Sequence, residues 1–148
     1  MGYCTIYGDM CGGLNALGDV YKTEVFELAK MYSDWIPDSV WLRPPSAELA
    51  HDQVDEDSLP PYDVLDPMLR IIIDQDGNYT NEQFLSMQNI LENWGGSDQK
   101  YLEFKAGIEK SVRMNEYKRQ QGAPCIKINL RTLTNGWRRP IVTKIRMN

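Results

Sequence analysis

The sequence predicts a mainly helical chain that forms one domain. Apolar residues recur at helical spacing in several segments between residues 20 and 118, and glycines, prolines or capping residues separate these segments. Candidate strands are few and short, namely residues 14–17 and the alternating segment 126–130. A length of 148 residues is enough for one domain with its own hydrophobic core.

The first predicted helix covers residues 20–32, where apolar residues recur at i, i+3, i+4 and i+7. Asp19 stands directly before this segment, in the position of an N-cap. Residues 36–41 follow as a short helical or extended connection.

The second predicted helix begins near Leu59, with Ser58 as its cap and prolines in its first turn, where a missing backbone donor costs least. Pro67 is expected to bend this helix or to divide it. Its predicted apolar face consists of Val64, Leu65, Met68, Leu69 and Ile72.

Two further helices are predicted in the second half of the chain. Thr80 and Gln83 form a capping box for a helix over residues 81–94. A last helix is expected from about residue 98 to residue 118, and a basic, irregular tail after residue 130.

Charge is distributed unevenly along the chain. Residues 1–99 hold 4 Lys and Arg against 18 Asp and Glu, a charge of −14, whereas residues 100–148 hold 12 against 3, a charge of +9, which gives the net −5. This split predicts that the basic end folds back on the acidic part, binds an anion, or does both. No nucleic-acid partner is expected, because the basic residues are scattered and no stacking motif or recognition helix accompanies them.

The sequence predicts a cytoplasmic protein without membrane association. No apolar run approaches the roughly 20 residues that cross a bilayer, and the N-terminus lacks the basic and apolar regions of a secretory signal. Cys4, Cys11 and Cys125 are odd in number and form no CxxC pair, which favours free thiols in a reducing compartment.

Residues 44–61 form a proline-bracketed loop, which lies between the pairs Pro44-Pro45 and Pro60-Pro61. Proline fixes φ and removes a backbone donor, so each pair is a stiff boundary. A loop of this length is usually functional or disordered. The loop is therefore either a solvated surface segment or a lid beside a site for phosphate or a metal ion.

Lys22 and Ser46 are candidate phosphate ligands, and each has a structural alternative. Lys22 lies in the first turn of the first helix, where a cation opposes the helix dipole unless a bound phosphate attracts both. Its alternative is an exposed, screened lysine. The Ser46 hydroxyl, on a rigid bend, either binds a phosphate oxygen or caps a turn.

Other charged groups have plain structural explanations as well. The acidic run 55–57 offers oxygen ligands of the kind that Mg²⁺ prefers, or forms a solvated face. Lys118 and Arg119, beside Tyr117, lie at a predicted helix C-terminus, where the dipole favours cations in any case. His51 has no Cys or second His near it, so neither a zinc site nor a Ser-His-Asp triad is predicted.

Several segments carry a combined pattern: GYCTIYGDMCGGLN (residues 2–15), DVYKTEV (19–25), PPSAEL (44–49), DEDSLPPY (55–62) and NEYKR (115–119). In order and approximate spacing they resemble the NAD synthetases, and the likeness runs from residue 2 to about residue 143. The NEYKR segment and the Arg-rich tail are similar to the glutamine-dependent, two-domain form rather than to the short ammonia-dependent one.

The resemblance implies an ATP-dependent ligase. ATP, with Mg²⁺, would adenylate the nicotinate carboxylate of deamido-NAD, and ammonia from glutamine would then displace AMP and leave the amide of NAD. The implied fold is the parallel-sheet domain of the adenine-nucleotide α-hydrolase-like, or ATP-pyrophosphatase, type.

The resemblance also implies binding roles for individual residues. It assigns no catalytic or metal-ligating residue in this chain, and it places the acidic residues 52–57 on a loop that orders over the site. The ATP-binding residues would be Lys22 and Ser46, and the residues that bind deamido-NAD would be Tyr3, Thr5, Tyr117 and Lys118.

One departure from the family pattern sets further expectations. The family's Gly-rich pyrophosphate loop and an acidic metal-binding residue would precede Met1, together with the first strands and the glutaminase domain. We therefore expect residues 1–148 to be the C-terminal portion of an NAD synthetase domain, inactive alone and prone to form a homo-oligomer through exposed apolar surface. Residues 50–57 should be the least ordered internal segment. The alternative is a non-catalytic helical interaction or assembly module derived from that domain.

Overall fold

The computed structural model describes residues 1–8, 11–73, 89 and 98–126 of the chain. The helices bounded within these ranges are α1 (Lys22–Met31), α2 (Asp38–Leu42), a short 3-10 helix (Asp55–Asp57), α3 (Tyr62–Ile73), α4 (Asp98–Met114) and α5 (Glu116–Gln120). Across the same ranges, β-type pairing is limited to one parallel bridge between Asn15 and Cys125. The prediction of a mainly helical chain is confirmed for this part of the sequence. None of the helices in the described residues is long and apolar enough to span a membrane.

The chain divides into two compact units. One is Val20–Asp66, and the other combines Met1–Asp19 with Pro67–Asn148, so the division falls inside α3. In the first unit α1 packs against α2, and Tyr21, Val64 and Leu65 are buried. In the second unit the buried apolar side chains are Met68, Ile72, Ile73, Ile108, Val112 and Ala123.

The first predicted helix is confirmed as α1, but the predicted cap is wrong. The N-cap is Tyr21, and Asp19 is a buried residue further upstream. The Tyr21 N–H donates to the Glu24 carboxylate at 2.9 Å, and the Thr23 N–H donates to the Asp66 carboxylate at 2.8 Å. Carboxylates from later positions in the chain therefore accept hydrogen bonds from the backbone N–H groups at the start of α1.

The start of α3 differs from the prediction. The helix begins at Tyr62, after the second proline pair, rather than near Leu59. Ser58 is the C-cap of the 3-10 helix, so the prediction that it caps α3 is wrong. The Pro61 carbonyl oxygen accepts the first backbone hydrogen bonds of α3. The helix also continues through Pro67, which does not divide it.

The predicted last helix is two helices, α4 and α5, with Asn115 between them. The Asn115 side-chain amide donates to the Ser111 carbonyl oxygen at 2.9 Å, which is a local bond that competes with the regular helix pattern. The α4–α5 break matters for the site because Lys118 lies on α5.

Strand predictions had little success. The predicted strand over residues 14–17 is reduced to the single bridge at Asn15. Apart from residue 89, the predicted helix over residues 81–94 lies outside the described residues, as do residues 127–130 of the predicted strand and the basic tail.

Met68 and Met114 provide a matched test of the buried core. Met68 is 0% exposed and Met114 is 64% exposed, and both lie on helices. We expect Met68→Ala to lower the free energy of unfolding by about 2–5 kcal/mol, because it leaves a cavity. Met114→Ala should change it by less than about 0.5 kcal/mol. Urea unfolding followed by circular dichroism measures both, and equal effects would contradict the placement of Met68 in the core.

Candidate functional site

The residues predicted to bind ligands fall into the two compact units. Lys22 and Ser46 lie in Val20–Asp66, and the other predicted ligand residues lie in the unit that contains Met1–Asp19. Within each unit, hydrogen bonds and ring contacts connect the predicted residues or the backbone beside them. The predicted ligand residues in the unit that contains Met1–Asp19 are Tyr3, Thr5, Tyr117 and Lys118.

The Lys118 ammonium holds the N-terminal loop, residues 2–8, against α5. Lys118 Nζ donates to the Gly2 carbonyl oxygen at 2.8 Å and to the Cys4 carbonyl oxygen at 2.9 Å. These carbonyls flank Tyr3. Because a charged donor strengthens both bonds, Lys118 fixes the backbone on either side of Tyr3.

A partly buried ion pair lies within α5. The buried Glu116 carboxylate accepts hydrogen bonds from Arg119 Nη2 at 2.6 Å and Nε at 3.2 Å. Gln120 Nε2 donates to the same carboxylate at 3.3 Å. Breaking a buried pair is strongly destabilising, because it leaves a charge without compensation. These bonds join residues of α5 to one another, so they stabilise the helix that carries Lys118.

The N-terminal loop also approaches the α4–α5 junction closely. Gly2 has a φ of +80°, which favours glycine, and a Cβ at this position would overlap the Asn115 side chain. Further along, the Asn15 N–H donates to the Pro124 carbonyl oxygen at 2.8 Å, next to the bridge with Cys125. Residues 2–15 are thus attached at both ends to residues 115–125.

Aromatic surface is available at this cluster. The side chains of Tyr3 and Tyr117 are both exposed, and Thr5 is exposed on the same loop as Tyr3. An exposed ring can stack on a planar ligand ring. Since Lys118 already fixes the backbone beside Tyr3, stacking there costs less ordering entropy.

Lys22 is the first residue of α1 and lies over two aromatic rings. Its Nζ is 5.3 Å from the centroid of Phe26 and 5.9 Å from that of Tyr62, within the range of cation–π attraction. The carboxylates at the α1 N-terminus, Glu24 and Asp66, offset the positive end of the helix dipole. Lys22 is half-buried and held in place, unlike the exposed lysine of the alternative interpretation.

Asp55 closes the proline-bracketed loop. Its backbone N–H donates to the Pro45 carbonyl oxygen at 2.8 Å, and its carboxylate accepts the Tyr62 hydroxyl at 2.6 Å. Ser46 directly follows Pro45. A chain of contacts therefore runs from Lys22 through Tyr62 and Asp55 to the residue beside Ser46.

Ser46 makes the local turn that was its structural alternative. Its Oγ accepts the Glu48 N–H at 2.9 Å, and Glu48 has a φ of +54°. Arg43 pairs with Glu48 at 2.6 Å on the surface. A hydroxyl that accepts one bond still has its own proton to donate. The turn is therefore compatible with a bond from Ser46 to a phosphate oxygen.

The acidic run 55–57 is divided, because Asp55 is buried whereas Glu56 and Asp57 are exposed, as the solvated-face alternative predicts. Asp55 is buried, and Asp57 Oδ2 accepts the Val54 N–H at 2.9 Å. Among the described residues no three potential metal-ligating side chains are grouped. The 3-10 helix gives these residues structure of their own; which internal segment is least ordered stays a prediction.

Comparison with known proteins identifies the family. Residues 1–122 match the family model for NAD synthase. The chain belongs to the NAD synthase family. It is 46% identical over 144 residues to the glutamine-dependent NAD(+) synthetase of Synechocystis sp., 45% over 150 residues to that of Acinetobacter baylyi and 38% over 150 residues to that of Thermotoga maritima.

These matches cover 95%, 96% and 98% of the chain, respectively. The chain spans about a quarter of the length of the curated relatives it matches, at 24% or 25% of each. No solved structure gives a significant match. The predicted resemblance to NAD synthases is confirmed, and the names of these relatives agree with the glutamine-dependent type.

The resemblance passed over the residues that hold the predicted ligand residues in place. Asp66 accepts a backbone bond beside Lys22, Tyr62 joins Lys22 to Asp55, and Glu116 stabilises α5. One of them carried a sequence signal, since Glu116 stands at i,i+3 spacing from an arginine.

Lys118→Met tests the attachment of the N-terminal loop. The change removes both donated hydrogen bonds but keeps an apolar stem, so we expect the free energy of unfolding to fall by about 1–3 kcal/mol. Amide exchange of residues 3–5, measured by mass spectrometry, should become faster. Lys110→Met, at an exposed position on α4, is the control and should leave both quantities nearly unchanged. Equal behaviour of the two variants would contradict the attachment.

The cysteines should differ in reactivity. Burial, and then the negative charge of Asp19, raises the pKa of the Cys125 thiol, whereas Cys11 is exposed. Because the thiolate is the reactive form, iodoacetamide should label Cys11 faster than Cys125 at neutral pH. The gap should narrow as pH rises towards the raised pKa. Labelling of the denatured chain is the control, and a gap of the same size there would assign the difference to local sequence.

Proposed function

We propose that this chain supplies ATP-binding and dinucleotide-binding residues of an NAD synthetase, which amidates deamido-NAD to NAD. The observation that carries the proposal is the chain of contacts from Lys22 through Tyr62 and Asp55 to the backbone beside Ser46. Lys22 and Ser46, at the two ends of this chain of contacts, are the residues that the family resemblance assigns to ATP. Family membership supports the reaction class.

The reaction proceeds by activation and displacement. A carboxylate oxygen of deamido-NAD attacks the α-phosphorus of ATP, pyrophosphate leaves, and ammonia then displaces AMP from the adenylate. Negative charge that develops on phosphate is stabilised by fixed cations. Lys22 would move its ammonium from the aromatic rings to phosphate, and Ser46 would donate its hydroxyl proton to a phosphate oxygen.

Deamido-NAD would bind at the Lys118 cluster. The exposed rings of Tyr3 and Tyr117 offer stacking surfaces, and Thr5 offers a hydroxyl. The Lys118 ammonium is bound to neutral carbonyl oxygens, so it can also attract a phosphate of the dinucleotide. ATP brings Mg²⁺ on its phosphates. Because no three ligand side chains are grouped in the described part of the chain, we assign Mg²⁺ no ligand here.

The wider setting is proposed on the same basis. The parallel bridge Asn15–Cys125 is compatible with a parallel-sheet domain, of which residues 1–148 would be the C-terminal portion. Free cysteines fit a cytoplasmic location. Exposed apolar side chains such as Trp35, at 86% exposure, support self-association, which light scattering at high concentration would test.

Calorimetry with ATP and with deamido-NAD tests the binding roles. Lys22→Met should weaken ATP binding about tenfold or more, because it removes a charge-assisted bond. Lys30→Met, at an exposed position in the last turn of the same helix, is the matched control. Lys118→Met should weaken binding of deamido-NAD and not of ATP. Similar ATP affinities for the Lys22 and Lys30 variants would contradict the proposed ATP site.

An activity assay addresses turnover by the 148-residue chain. We expect these 148 residues alone to give no AMP release that depends on deamido-NAD, since they span about a quarter of the length of their relatives. Measured release above the ATP-only background would overturn this expectation while leaving the binding roles intact.

A further inference from the structure

The structure assigns a positioning role to Tyr62, a residue without an assigned function. We propose that Tyr62 holds the proline-bracketed loop, and with it Ser46, at a fixed place beside Lys22. The functional meaning rests on the proposed ATP site, because Lys22 and Ser46 are its assigned residues.

Two contacts of Tyr62 carry the proposal, and they use different parts of its side chain. Its hydroxyl donates to Asp55 Oδ2 at 2.6 Å, and its ring centroid lies 5.9 Å from the Lys22 ammonium nitrogen. Tyr62 is the first residue of α3, so the helix restricts its backbone. One residue thus connects the phosphate-binding lysine to the loop.

The Asp55 carboxylate depends on the Tyr62 hydroxyl. Asp55 is 7% exposed, and its Oδ1 atom is buried without a hydrogen-bond partner among the described residues. A buried carboxylate is costly unless hydrogen bonds compensate the charge. Removing the hydroxyl would leave Oδ2 without this bond, and the loop would then shift or open to water around Asp55.

The other side of Asp55 faces the start of the loop. Its N–H donates to the Pro45 carbonyl oxygen, and Ser46 is the next residue. Stiff prolines on both sides limit how the loop can rearrange while it stays attached. Loss of the hydroxyl contact would release Asp55, and through it Pro45 and Ser46, from α3. Ser46 would then have to be ordered again when ATP binds, which reduces affinity.

Hydrogen exchange without ligand tests the attachment directly. Tyr62→Phe keeps the ring below Lys22 and removes the hydroxyl, so amides of residues 46–55 should exchange about tenfold faster. Asp55→Asn keeps an acceptor oxygen and should have a smaller effect. The Val25 amide, which donates to the Tyr21 carbonyl oxygen in α1, should be unaffected. Unchanged loop exchange in Tyr62→Phe would overturn the proposal.

ATP calorimetry then separates positioning from general stability. Tyr62→Phe should weaken ATP binding several-fold in the otherwise unchanged chain, but cause no further loss in a Ser46→Ala background, because both changes act through one contact. Full additivity would overturn the positioning role. If the unsubstituted chain binds no ATP, the proposed function fails, and the role of Tyr62 in nucleotide binding fails with it. The comparison of hydrogen exchange between the unsubstituted chain and Tyr62→Phe still decides whether Tyr62 holds the loop.

Discussion

The Lys118 ammonium bonds to the carbonyl oxygens of Gly2 and Cys4, which lie 116 and 114 positions away along the chain. Buried backbone groups outside helices and sheets need such partners, and here α5 supplies them to the N-terminal loop. The contact depends on the break at Asn115, which separates α5 from α4, and on the Glu116–Arg119 pair that stabilises α5. It also depends on a glycine at residue 2, where a side chain would displace Asn115.

Buried carboxylates have a comparable role in the other unit. Asp66 accepts the Thr23 N–H, and Asp55 accepts the Tyr62 hydroxyl. Some of the acidic side chains therefore act as hydrogen-bond acceptors inside the protein. Lys22, by contrast, contacts aromatic rings, as Lys118 in its own unit contacts carbonyl oxygens. Such neutral partners hold an ammonium more weakly than phosphate does, so both lysines are fixed in place yet able to exchange their partners for an anion.

The sequence predicted what depends on local spacing. Apolar periodicity located α1, α3 and α4, because one helical face has a fixed repeat. It misplaced the α1 cap, since an acceptor for the first turn, Asp66, follows its donor by 43 positions. The family resemblance selected the predicted ligand residues without the residues that hold them. The sequence allowed Asp55 to be a metal ligand or solvated surface, whereas its burial and its contact with Tyr62 distinguish it from its acidic neighbours.

Both groups of predicted ligand residues are positioned in the same way. Ser46 and Tyr3 lie on loops, and the backbone beside each is fixed by a side chain on a helix, directly by Lys118 for Tyr3 and through Asp55 by Tyr62 for Ser46. A helix restricts the anchoring side chain, so the loop becomes ordered before a ligand arrives. Substitutions of residues that touch the ligand and of residues that hold the loop should then weaken binding for different reasons. Loss of a contact residue removes a bond to the ligand, whereas loss of an anchor leaves every ligand bond available and adds the entropy of ordering the loop.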